Sequence, residues 1–231
     1  MTFDMTKGAP LRLILVFTLP LLLGNLFQQM YNLVDAVIVG KFLGLNALSS
    51  VNASASVLFL VINFVIGVCC GFAIPVAQRF GAGDERSMRR YVANAALLSA
   101  ALAAVLTVAT TLLCRLILQW LSTPEAIYAG AYQYLLIIFL GIPCTVLYNM
   151  SASILRALGD SRTPFLFLVV STVVNVVLDL LFIVALGLGV SGAALATVIG
   201  QGMSGVLCLR FLVRRFAILK LQPGEEKPSL A

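Results

Sequence analysis

Residues 12–40 read "RLILVFTLPLLLGNLFQQMYNLVDAVIVG", and the fold turns on how this stretch is read. It exceeds the roughly 20 residues with which a helix crosses about 30 Å of hydrocarbon. A helix is also the conformation that satisfies its own backbone hydrogen bonds where water is absent. The start of the chain, with Lys7 and Arg12 before an apolar run, resembles a signal peptide. However, the run meets no small-residue cleavage site and continues to Gly40, so it is expected to be a retained first span.

The rest of the chain has the same character. Hydrophobic residues make up 61% of the 231 and charged residues 10%, and mean hydropathy is +1.07. A soluble domain is nearer half apolar and a quarter charged, so a lipid solvent is indicated. The short alternating segments of a β-barrel are missing. Six spans are expected, at about 12–39, 51–78, 91–117, 127–150, 164–186 and 191–213. They are separated by Gly, Pro and charge clusters such as "RFGAGDERSMRR" and "RALGDSRTP". The fold class is therefore an all-α membrane protein. Residues 1–215 form a six-helix transmembrane bundle, and 216–231 form a cytoplasmic tail.

Charge placement orients the bundle. Lys7, Arg12, Arg79, Arg86, Arg89, Arg90, Arg156, Arg162, Arg210, Arg214, Arg215, Lys220 and Lys227 fall on one side, against only Lys41 and Arg115 on the other. The positive-inside rule then puts both termini in the cytoplasm, as an even number of spans requires. This placement explains the net charge of +6 without a nucleic-acid partner. The five cysteines lie in or beside apolar runs, without C-x-x-C spacing, and read as reduced packing residues. Histidine is absent, which removes the commonest metal ligand and proton shuttle. With no Ser–base arrangement and no acidic metal motif either, an enzyme is not expected. The loops "RFGAGDERS" and "RALGDSRTP" both place Gly-Asp between arginines. Turn chemistry is the plainer explanation, and a gate latch the alternative.

Two acids alone lie deep within spans, Asp35 and Asp179. A charge at mid-membrane costs about 2.5–3.5 kcal/mol on insertion scales, and such residues usually face a cavity or a partner. Gln28, Tyr31, Asn32 and Asp35 fall at i, i+3, i+4 and i+7, on one helical face that runs back through Gly24 to Pro20. Thr172, Asn175 and Asp179 repeat the pattern in the fifth span, and Thr197, Gln201 and Ser204 in the sixth. Interhelical hydrogen bonding explains many membrane Asn, Ser and Thr residues, here including Ser171. For Asn175 and Thr197, packing and function are both open. Two carboxyls with Asn and Thr oxygens, and no Lys or Arg at their depth, suit a proton or a hard monovalent cation.

The stretches "LPLLLGNLFQQMYNLVDAVIVGKFLG", "IPVAQRFGAGDERSMRRYV", "RALGDSRTP", "NVVLDLLFI" and "GLGVSGAALATVIGQ" resemble, in order, the multidrug and toxic compound extrusion (MATE) transporters. The resemblance implies a secondary multidrug exporter of the inner (plasma) membrane, built from two six-helix lobes. It would move amphipathic, often cationic molecules by H+ or Na+ antiport, with no cofactor beyond that ion. This chain resembles the amino-terminal lobe, and its end resembles the connector between lobes. Carried over by position, Asp35, Asn175, Asp179 and Thr197 would bind the coupling H+ or Na+. Gln28, Tyr31 and Asn149 would line the substrate cavity, and Pro20 would be the hinge of the first helix. The expected partners are the bilayer, drug-like molecules, and a second six-helix lobe or a second copy of the chain. The alternatives are a lipid-linked oligosaccharide flippase of the related superfamily, and a non-transporting scaffold or fragment.

Overall fold

The computed structural model describes residues 10–215, and every regular element among them is helical. The expected tail 216–231 lies outside the described residues. In chain order the helices are α1 (Pro10–Leu43), α2 (Leu45–Ala53), α3 (Ala55–Gly81), α4 (Glu85–Trp120), α5 (Glu125–Leu140), α6 (Ile142–Ala157), α7 (Arg162–Asp179) and α8 (Val190–Arg215). A π-helical turn, Leu180–Ala185, continues α7. Five of these units are long and apolar enough to cross a membrane, and α5 with α6 makes six.

Two expected spans change form. The second begins at Ala55, because residues 45–53 make a separate short helix. Gly44 separates α1 from α2, with φ 85° and ψ −177°, a conformation open essentially to glycine alone, and Ser54 separates α2 from α3. The Ser50 hydroxyl then ties α2 to α5, lying 3.2 Å from the Ile127 carbonyl. The fourth span extends over 125–157 and bends by 46° at Gly141. Pro143, in the first turn of α6, has no N–H to carry the helical ladder across the bend. Val198 of α8 fills the space at the bend, where a Cβ on Gly141 would stand 2.3 Å from it.

α8 is the centre of the bundle and packs on α5, α6 and α7. In its most apolar window 44% of residues are buried, against 6% for α1. The cause is small residues: Gly205 lies 3.0 Å from the Tyr148 amide nitrogen, measured from where its Cβ would be. Gly200 likewise meets Asn175, at 3.3 Å. Close backbone approach of this kind is how membrane helices associate without a hydrophobic driving force between them. α1 instead rests on the edge, chiefly on α7, through an edge-to-face contact of Phe27 with Phe165 at 5.6 Å.

The two Gly-Asp loops are one turn used twice. Gly83 and Gly159 both have positive φ, at 71° and 83°. In each case the carboxylate of the next residue accepts from a backbone amide in the first turn of the following helix. Asp84 Oδ1 accepts from the Ser87 amide at 3.1 Å, and Asp160 Oδ1 from the Thr163 amide at 3.0 Å. The hydrogen bonds from Ser87 hold the Asp84 carboxyl below the usual carboxylate range. Turn chemistry therefore accounts for the similarity of these loops.

The bend gives a direct test. Gly141→Ala should destabilise the chain by about 1–3 kcal/mol through overpacking against Val198. Gly67→Ala, where nothing lies within 4 Å, should leave stability unchanged or slightly raised. Thermal melting in detergent distinguishes the two.

Candidate functional site

Three elements converge on the carboxyls singled out above. Asp35 stands in the second half of α1 and is 8% exposed, while Asp179 is the last residue of α7 and is 0% exposed. Asn175, one turn before Asp179, is 1% exposed. The Asp35 and Asp179 carboxyls are close enough to interact directly, and among the described residues neither has a lysine or arginine beside it. The two ion pairs given by Arg79–Asp84 and Arg89–Glu85 lie away from the site, at the α3–α4 turn.

Thr197 comes to this point from α8. Its hydroxyl donates to the Ala193 carbonyl at 3.0 Å and accepts from the Tyr31 hydroxyl at 3.0 Å. Tyr31 lies one turn before Asp35, so this bond ties α1 to α8 beside the acids. The acids and Asn175 lack such partners. Asp35 Oδ1, both Asp179 carboxylate oxygens, and both Asn175 amide atoms are buried with no hydrogen bond among the described residues. A buried orphan of this kind costs about 1–3 kcal/mol, more when charged. Two adjacent carboxylates without a cation add their mutual repulsion. The arrangement can hold a proton shared between the acids, or a small hard cation surrounded by oxygens.

Beside the acids, α1, α7 and α8 enclose a cavity of about 10 Å³, room for about one water. Gln28 and Tyr31 line it with Ser171, Thr172, Asn175 and Gln201. Gln201 Oε1 is a further buried orphan. Asn149 is placed elsewhere: it is on α6, its amide donates to its own helix at the Thr145 carbonyl, 2.8 Å away, and it is not among the residues lining the cavity. Asn32, expected on the face of Asp35, is exposed. The neighbouring helices cover a stripe through Gln28, Tyr31 and Asp35, and Asn32 lies beyond its edge. Pro20 lies inside α1, which continues through it as one helix.

Sequence reasoning gave Gln201 and Ser171 no site role. Gln201 carried a signal, being four residues after Thr197 on the same face of α8. Ser171 carried the same kind of signal, being four residues before Asn175; its hydroxyl donates to the Gly200 carbonyl of α8. Both line the cavity.

A family model described as MatE matches residues 20–181. The chain is 32% identical over 228 residues to the "Probable multidrug resistance protein YpnP" of Bacillus subtilis, covering 97% of this chain and 51% of that protein. It is 26% identical over 211 residues to the "FAD transporter" of Shewanella oneidensis, covering 87% of this chain and 46% of that one. Among solved structures, an outward-facing conformation of a multidrug resistance MATE family transporter superposes with a TM-score of 0.90 at 26% identity. It covers 100% of this chain and 52% of the other. The chain thus spans about half the length of the curated relatives it matches.

The Tyr31–Thr197 bond should matter to the seating of α1. Tyr31→Phe keeps the ring and removes the hydroxyl, so it should cost about 0.5–1.5 kcal/mol. Thermal melting in detergent measures this.

Proposed function

This chain belongs to the MatE family, and from that premise we propose that it is the amino-terminal lobe of a cation-coupled exporter of drug-like molecules. The observation that carries the proposal is the set of five buried polar atoms on Asp35, Asn175 and Asp179 without partners among the described residues. An antiporter needs a site whose charge state changes during the cycle. Two carboxyls on different helices, close enough to interact, provide one.

In the proposed cycle, H+ or Na+ enters from outside and occupies the pair, assisted by Asn175 and Thr197. Occupation cancels the repulsion between Asp35 and Asp179 and lets α1 close on α7 and α8. The space beside Gln28 and Tyr31 then shrinks, and substrate leaves outward. Loss of the ion toward the cytoplasm restores the repulsion and loosens α1, which is held by fewer buried residues than the other spans. Pro20 would let the outer part of α1 follow, because proline frees the carbonyl four residues earlier. The water-sized cavity fits the closed, ion-loaded arm of this cycle. Movement of one helical unit against another around a fixed site is the general logic of secondary transport.

A second six-helix lobe, or a second copy of the chain, would complete the cleft through which substrate passes. Both termini would be cytoplasmic, in the inner (plasma) membrane, with the arginines around the α3–α4 and α6–α7 turns facing inward. The relative named as an FAD transporter raises an anionic cargo as an alternative. No lysine or arginine lines the cavity beside Gln28 and Tyr31, which favours neutral or cationic molecules here.

The proposal predicts that Asp35→Asn and Asp179→Asn each reduce ion-gradient-driven ethidium efflux at least about tenfold, within the range of typical coupling energies. Cells expressing the chain with its complementary lobe provide the assay. Undiminished, still ion-dependent efflux in both variants would contradict it.

A further inference from the structure

Directly after Asp179, α7 widens into the π-helical turn Leu180–Ala185. The Leu186 amide reaches back five residues to the Leu181 carbonyl at 2.9 Å, and the Leu188 amide reaches Phe182 at 2.9 Å. Neither Gly nor Pro occurs from Phe165 to Ala185, so no backbone-breaking residue explains the turn. Burial does. Ser171, Asn175, Asp179 and Ile183 are all buried, each four residues after the last. A regular helix of 3.6 residues per turn would carry such a series steadily around its axis. A wider turn brings Ile183 back beneath Asp179.

The same turn is where other helices meet. Ile183 packs in one cluster with Ile38 and Val39 of α1, Tyr134 of α5, and Ala193 of α8. Gly192, at the start of α8, presses on the turn itself. A Cβ there would stand 3.0 Å from Phe182 Cβ and 3.2 Å from its carbonyl carbon.

On the basis that Asp35 and Asp179 form one ion site, we propose that the wide turn Leu180–Ala185, seated on Gly192, is the positioning element that holds the Asp179 carboxyl against Asp35. Phe182 and Ile183 act through Asp179 and touch no ion. The turn fixes the rotation of the last α-helical residue, because α1 grips Ile183 below it while α8 occupies its outer side. A change of hydrogen-bond register in the turn would swing Asp179 relative to Asp35 without moving the rest of α7. The turn thus sets how strongly the two carboxyls are coupled.

Coupling is measurable without transport. The chain in detergent is treated with dicyclohexylcarbodiimide, which attacks protonated carboxyls in apolar surroundings, and peptide masses report labelling of Asp179 against pH. With the turn intact, Asp35→Asn should move the Asp179 labelling midpoint by about one pH unit or more, as strongly interacting sites require. In the Gly192→Ala background the same replacement should move it far less. Deleting Val184, an exposed residue of the turn, should have the same effect as Gly192→Ala. Gly202→Ala, which crowds Cys144 at 3.2 Å but lies away from the turn, should leave the shift intact. An equal shift in the native, Gly192→Ala and Val184-deleted chains would overturn the proposal, as would its loss in Gly202→Ala. Should Asp35→Asn shift nothing even with the turn intact, the two acids are not one ion site, and the failure lies with the proposed function itself.

Discussion

Asp35 and Asp179 meet across the junction of α1 and α7 with no positive side chain between them, and this contact constrains everything around it. Two negative charges placed together in an apolar interior are unfavourable twice over, through lost hydration and through repulsion. The junction is stable when a proton or a hard cation makes up the deficit. In the proposed cycle the seating of α1 is thereby tied to occupancy of the pair. α1 suits that role because it lies on the edge of the bundle, whereas α8 is locked at the centre by glycines that bring it against α6 and α7. A movable helix, a fixed one and a charge-dependent contact between α1 and α7 are the parts that the proposed coupled transporter needs.

Much of this was legible in the sequence. Composition and run length sufficed for an all-helical membrane bundle, and helical spacing set Gln28, Tyr31 and Asp35 on a common face. That Asp179 and Asn175 lie inward on one side of α7 followed from their spacing of four. The family resemblance, resting on motifs spread from Leu11 to Arg215, is matched by the MatE family model over residues 20–181.

What could not be read came from packing between distant segments. Gly141 looked like any apolar-span glycine until Val198 was found in the place of its missing side chain. The seating of α2 depends on Ser50 reaching α5, a contact across 77 positions of sequence. The wide turn after Asp179 has no residue that announces it, since "LLFIVA" is as compatible with an ordinary helix. Its cause is a burial series with a period of four, visible only once the partners on α1 and α8 are known. Asn32 lies on the helical face that its spacing implies, but neighbouring helices cover a narrower stripe than that face.

The central claim is that Asp35 and Asp179 are a single site rather than two independent acids. Counting adducts tests it most directly: the chain is exhaustively treated with dicyclohexylcarbodiimide, and its intact mass is combined with peptide assignment. A single adduct shared between the two positions is predicted, because both carboxyls are buried and a bulky group on one stands in the way of reaction at the other. Two adducts on the same chain, one at each acid, would contradict the account.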